Sequence, residues 1–166
     1  MKKIIILSLL FFSFHVLNAQ EEEGPKDGWT KTGKISFLFN QSAFSNWLSG
    51  GENNVAVNLG LNYDFNYVKG NFTLANTILG SHGFTKSKNS EFEKKTDDRL
   101  EFTSLIGRKA KGYWFYSGFV NFKTQFDVGY IYGKDANGKE IRTENTNFFS
   151  PAYLSFGPGM LWKKSD

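Results

Sequence analysis

The sequence predicts an all-β protein: an antiparallel up-and-down transmembrane β-barrel, of which about six strands are present. Three observations carry that expectation. Apolar and polar residues alternate over windows longer than a soluble strand needs. After the first 20 residues, no window repeats apolar residues at helical spacing or runs apolar for the length of a membrane helix. The links between alternating windows are short and long by turns, as when strands cross a bilayer and return.

With 166 residues, 40% hydrophobic and 22% charged, the chain has room for one domain. Aromatic residues reach 17%, too much ring surface for a disordered chain to keep solvated. The absence of cysteine removes disulfides, thiolate catalysis, Cys-ligated zinc, iron–sulfur clusters and a lipidated N-terminal Cys.

The N-terminus reads as a secretory leader. Lys2 and Lys3 precede an apolar run from Ile4 to Leu17, and Asn18-Ala19-Gln20 offers a small-residue cleavage site before Glu21, Glu22 and Glu23. The run is too short to span a bilayer; an uncleaved anchor is the alternative. Removing residues 1–19 takes away two lysines and lowers the formal charge from +4 to +2, which leaves no basic footprint for nucleic acid. The expected organisation is a signal peptide at 1–19, a short periplasmic segment at 20–32 and the barrel region at 33–166.

The first strand is expected over Lys34–Ser42, with Ile35, Phe37 and Phe39 on one face and Lys34, Ser36 and Asn40 on the other; Leu38 breaks the polar side. The second, Val55–Tyr67, alternates without a fault. Val55, Val57, Leu59, Leu61, Tyr63, Phe65 and Tyr67 oppose Ala56, Asn58, Gly60, Asn62, Asp64 and Asn66. Its length, roughly 43 Å at about 3.3 Å per residue, covers the ~30 Å core of a bilayer when tilted by ~45°. The third, Phe72–Gly80, sets Phe72, Leu74 and Ile78 against Thr73, Ala75 and Thr77, with Asn76 interrupting the apolar side. The fourth, Arg99–Ile106, opposes Leu100, Phe102 and Ile106 to Arg99, Glu101 and Thr103. The fifth, Trp114–Val128, sends Trp114, Tyr116, Val120, Phe122, Phe126 and Val128 outward and Ser117, Asn121, Lys123, Gln125 and Asp127 inward. The sixth is Ala152–Trp162, weakened by Pro151 and Pro158.

Short turns fall at Lys69-Gly70 and at Ala110-Lys111-Gly112; long polar links cover 45–54, 85–98 and about 130–147. Aromatic residues gather at both ends. Tyr67, Phe72, Trp114, Tyr116 and Trp162 stand near the short turns, and Trp47, Phe84, Tyr130, Tyr132, Phe148 and Phe149 near the long links. Two such girdles mark membrane interfaces. A soluble β-sandwich or lipocalin-like barrel, with the apolar face inward, is the alternative that alternation alone leaves open.

Candidate sites are few. Outside the leader there is one histidine, His82, and a lone imidazole without Cys is not a metal site. Asp97 and Asp98 can face it across the third hairpin, giving a rim Asp–His pair able to activate water. Ser81 is excluded as its nucleophile, because neighbours in a strand point apart. Asn58, Asn62, Asp64, Arg99, Glu101, Lys123 and Asp127 are the candidate polar lumen, with cross-strand ion pairs between the fourth and fifth strands. Lys86, Lys88, Lys94 and Lys95 interleave with Glu91, Glu93, Asp97 and Asp98 as a solvated loop.

Local motifs carry a resemblance. Gln41, Ser45-Asn46-Trp47 and Gly50-Gly51-Glu52-Asn53 resemble the Q-x-x-x-S-N-W-x-x-G-G-E-N block of a domain-of-unknown-function family, taken to be outer-membrane β-barrel proteins of Gram-negative bacteria. Thr124-Gln125 and Gly129-Tyr130 resemble its second block. The resemblance implies the fold and an outer-membrane location reached by export, with no activity. Members run on beyond the equivalent of Trp162-Lys163-Lys164, so it also implies a truncated chain whose barrel is incomplete.

The function expected from the whole is a non-enzymatic outer-membrane barrel, serving envelope structure or small-solute passage, with no cofactor or metal. Its expected partners are membrane lipid and, during biogenesis, the barrel-assembly machinery. A rim hydrolase or a soluble periplasmic ligand-binding barrel are the alternatives.

Overall fold

The computed structural model describes residues 27–45 and 51–164. Eight strands follow in order: β1 (Gly28–Ser42), β2 (Asn54–Lys69), β3 (Phe72–Ser87), β4 (Lys94–Lys109), β5 (Trp114–Thr124), β6 (Gly129–Lys134), β7 (Glu140–Thr146) and β8 (Ala152–Trp162). Six of them form one antiparallel up-and-down sheet in the order β1-β2-β3-β4-β5-β8, open at β1 and β8, and β6 and β7 form a separate hairpin. No helix is present among the described residues. The leader and the cleavage site lie outside them.

Each expected strand exists, with corrected bounds. β1 begins at Gly28, inside the span expected as an N-terminal segment. β3 and β4 continue to Ser87 and from Lys94, so the link between them is a short turn and His82 lies within a strand. β5 stops at Thr124 instead of Val128. The expected loop over 130–147 is the β6–β7 hairpin, making eight strands where six were expected.

The ladders carry one division of faces across the sheet. Reading partner to partner, Gly33, Tyr63, Ile78, Phe102, Phe122 and Leu154 form a row on one face. On the other face Asn58 meets Gly83, Asp64 meets Thr77, Glu101 meets Lys123 and Asn121 meets Ser155. The alternation therefore sorts an apolar from a polar face in every strand, because strand side chains repeat with period two.

No hydrophobic residue is buried among the described residues, while Ile35, Phe37, Leu59, Leu154 and Phe156 stand exposed on the apolar face. The two enclosed side chains on that face are both polar, Asn76 in β3 and Thr124 at the end of β5. Asn76 of β3 is 3% exposed; it donates to Phe65 O at 2.9 Å and accepts from the Ser104 hydroxyl at 2.7 Å. Phe65 and Phe102, from the flanking strands, stack over β3 with centroids 6.5 Å apart. Those rings and hydrogen bonds explain why an asparagine interrupts the apolar side.

The strands are also staggered. β8 is centred on Gly157, which the ladders place level with Asn66 of β2, about five residues from β2's own centre. A shift of roughly 16 Å over four ladder steps of about 4.8 Å corresponds to a tilt of about 40° from the axis, the inclination that closed barrels use.

Candidate functional site at the loop end

The β1–β2, β3–β4 and β5–β8 connections meet at one end of the sheet, and most charged side chains collect there. Asp98 organises its centre. It stands opposite His82 in the β3–β4 ladder, but its carboxylate takes other partners. Oδ1 accepts the Phe126 amide at 3.0 Å, and Oδ2 accepts the Asp127 amide at 3.1 Å and Lys95 Nζ at 2.5 Å. Lys95 also donates to Asp127 O at 2.9 Å. These bonds draw 126–127 out of the sheet, so β5 ends at Thr124.

Asp127 consequently leaves the polar lumen in which the sequence pattern set it. Its carboxylate meets His82 Nε2 at 3.0 Å, and this hydrogen bond, ahead of the Val128 amide, holds the carboxyl below its ordinary value. The His82 ring lies beside Phe126 and Phe84, with centroids 5.3 Å and 6.3 Å away. The expected His–carboxylate pair thus forms, with Asp127 in place of Asp97 or Asp98. It holds an imidazole in one orientation and can take a proton from water. Ser81 belongs to the opposite face.

Thr124 and Gln125 fix the return leg toward β8. The Thr124 hydroxyl donates to Pro151 O at 3.0 Å, and Gln125 Nε2 donates to Asn147 O at 3.2 Å and Ser150 O at 2.6 Å. Gly129 is required by closeness: a Cβ there would lie 2.1 Å from the Thr146 hydroxyl. The Tyr130 ring carries the Arg142 guanidinium 4.3 Å above it.

The β6–β7 hairpin leans on the β3–β4 turn through polar contacts. Glu140 accepts Lys94 Nζ at 3.1 Å, the Ser90 hydroxyl at 2.9 Å and the Glu91 amide at 2.6 Å. Those bonds, Lys94 first, lower its carboxyl to about 2. Tyr132 donates to Glu93 O at 2.8 Å, and Lys139 pairs with Glu91 at 3.2 Å. A polar cleft of about 380 Å³ remains between Glu52, Asn89, Lys94, Lys134 and Glu140.

Of the first motif block, Gln41 is the penultimate residue of β1, level with Val55, and Asn46, Trp47 and Gly50 lie outside the described residues. Gly51 lies against the Phe44 ring, which a Cβ would strike at 2.7 Å. Glu52 accepts the Asn89 amide at 3.2 Å, and Asn53 accepts the Phe44 amide at 2.6 Å. The block thus ties the first link to the β3–β4 turn.

On the polar face, Asn58 donates to Asp97 at 3.2 Å across Gly83, and Asp64 accepts from Thr77 at 2.7 Å. Arg99 pairs with Glu101 of its own strand at 2.5 Å, and Asn121 donates to Glu101 at 2.7 Å. The expected cross-strand ion pairs are thereby replaced by a pair within β4, with Lys123 next to Glu101 in the ladder. Asn62 lies level with Leu79 on this face. Among the described residues no three His, Asp or Glu side chains converge as metal ligands.

A family model described as a protein of unknown function (DUF3078) matches residues 39–130, more than half the chain. The chain belongs to the DUF3078 family. No curated protein and no solved structure matches it. The DUF3078 segment runs from the end of β1 to the start of β6, so it contains the first motif block, the Asp98 cluster and His82–Asp127.

Two parts of this end escaped sequence reasoning. The hairpin had a signal, Asn137-Gly138, with Gly138 at φ +80° and Asp135 accepting the Asn137 and Lys139 amides at 2.9 Å each. The role of Asp98 had none, since its partners are backbone amides 28 and 29 residues away.

Proposed function

We propose that this chain is an outer-membrane β-barrel protein of a Gram-negative envelope, with its apolar face against lipid and its polar face inward. It is non-enzymatic, serving envelope structure or the passage of a small solute. One observation carries the reading: a six-stranded sheet has an apolar face whose large side chains are exposed on every strand but β3, where they are half-buried, and no hydrophobic residue is buried among the described residues. A soluble sheet must bury such a face against a second layer, whereas lipid covers it directly. Three supports are independent of that face. The longest strands have 16 residues, the stagger gives a barrel-like tilt, and aromatic pairs such as Trp29–Tyr67 and Tyr113–Trp162 mark the turn end. Export by a cleaved leader and insertion by the barrel-assembly machinery belong to the same reading.

The test is a matched pair of substitutions. Leu59→Arg puts a charge at mid-strand on the apolar face, where a lipid contact costs about 2–4 kcal/mol. Asn58→Arg puts it on the polar face, where water or Asp97 can serve it. Membrane-fraction yield after alkaline extraction should fall sharply for the first and little for the second. The reverse order would make the apolar face an inner surface and the protein a soluble barrel. Planar-bilayer conductance then separates solute passage from a structural role.

A further inference from the structure

We propose that the turn end of the sheet is a binding surface for anionic phospholipid headgroups, built from Lys31, Lys69 and Arg108 on the apolar face. The proposal rests on the membrane-spanning reading and adds a lipid class to it.

Charge divides unevenly between the two ends. At the turn end the described charged residues are Lys31, Lys69, Arg108, Lys109, Lys111, Lys163 and Lys164 against Asp27 and Asp64. Asp64 is bound to Thr77 on the polar face, and Asp27 accepts the Gly70 amide at 2.9 Å. At the loop end cations and carboxylates are mixed, and the ion pairs among the described residues all lie in that half: His82–Asp127, Lys94–Glu140, Lys95–Asp98, Arg99–Glu101 and Lys139–Glu91. A membrane with anionic headgroups on the turn side complements this asymmetry, each nearby cation adding about 1 kcal/mol of attraction.

The register shows which cations reach lipid. Lys31 is level with Phe65, Lys69 with Phe72, and Arg108 with both Phe72 and Tyr116, all on the apolar face. Lys69 and Arg108 flank Phe72 from adjacent strands, their backbones roughly 10 Å apart, so both long side chains can converge on one phosphodiester. Trp29, Tyr67 and Phe72 form a continuous row of rings, with centroids 5.1 Å and 6.4 Å apart. Rings at the headgroup level with lysine and arginine reaching past them are the arrangement by which amphipathic side chains meet a lipid interface. All three cations are exposed.

Tryptophans provide the readout, because Trp29, Trp114 and Trp162 lie at this end. The exported protein is placed in vesicles of brominated phosphatidylcholine, whose bromines quench nearby indoles, and unbrominated phosphatidylglycerol or phosphatidylcholine is added as competitor. We expect phosphatidylglycerol to relieve quenching at least about threefold more effectively. The preference should fall toward unity in 0.5 M salt and in Lys31→Gln/Lys69→Gln/Arg108→Gln, but persist in the loop-end control Lys86→Gln/Lys88→Gln. Equal competition by the two lipids overturns the proposal and leaves the membrane reading intact. Absence of any quenching overturns both. The acidic run Glu21–Glu23, outside the described residues, is the competing occupant: if neutralising it raises the preference while the cation variants leave it unchanged, the proposal is overturned.

Discussion

The six-stranded sheet and the β6–β7 hairpin are both antiparallel, yet they are held by different forces. In the sheet, continuous backbone ladders join strands whose side chains sort by polarity, and side-chain networks lie on the polar face, with Asn76 as the exception on the apolar one. The hairpin has neither a long ladder nor an apolar face. It is fixed by Glu140 on Lys94, Ser90 and Glu91, by Tyr132 on Glu93, and by Arg142 between Phe92 and Tyr130, 4.7 Å and 4.3 Å from the rings. The contrast separates a scaffold from an attachment: damage to the first should spread, and damage to the second should remain local.

The strongest break in the sheet is Asn76→Ala. It strips the Phe65 carbonyl and the Ser104 hydroxyl of their partner beneath two stacked rings, at a cost of about 2–3 kcal/mol. Urea midpoints in detergent, followed by tryptophan emission, should drop while hairpin protection falls in parallel. Next comes Gly83→Ala. The new Cβ would stand 2.6 Å from Asn58 Nδ2 and 2.8 Å from the Thr96 hydroxyl, displacing the Asn58–Asp97 bond for about 1–2 kcal/mol. Adding Asn58→Ala should recover part of that loss, and a double-mutant cycle measures how much.

The smallest effect sharpens the contrast from the other side. Because Glu140 is lowered from 4.5 to about 2, its contribution to docking is complete above its unfolded value and is lost as pH falls through the folded one. Hydrogen exchange in β6 and β7 should therefore quicken between pH 4.5 and 2 before the sheet amides respond, and Glu140→Gln should remove that step. A simultaneous response of both regions would mean that the hairpin is part of the scaffold.

The same contrast explains what the sequence made legible. Val55–Tyr67 could be read because a pleated strand with unlike faces imposes period two, and the ladders preserve that period through β5 and β8. Asn76 was visible as an exception, but its reason was not, since Phe65 and Phe102 come from different strands. The first motif block lies in a link that the sequence marks as long and polar, and its contacts were not legible: Gly51 and Asn53 meet Phe44, and Glu52 meets Asn89, 37 residues away. The hairpin escapes the pattern because Gly129–Lys134 is short and runs Tyr-Ile-Tyr without alternation, while Glu140–Thr146 is mostly charged and polar. The end of β5 was misplaced by four residues because periodicity continues through Phe126 and Val128; Asp98 overrides it from a strand away. Local pattern reports the faces, and distant hydrogen bonds set where strands stop.

The hairpin bears finally on the order in which the sheet can assemble. From β1 to β5 every ladder joins neighbours in sequence, so pairing can proceed from one turn to the next with small loops to close. β8 breaks the sequence by pairing with β5 across the whole span from Gln125 to Pro151. Closing roughly 27 residues costs about 1.5–2 kcal/mol more than closing a four-residue turn. When Gly129 pairs with Thr146, that long span contracts to two short legs, 125–128 and 147–151, already tied together by Gln125. The hairpin thus turns the one distant pairing of the sheet into a nearly local one, and β8 can join at little more than the entropic cost of an ordinary turn.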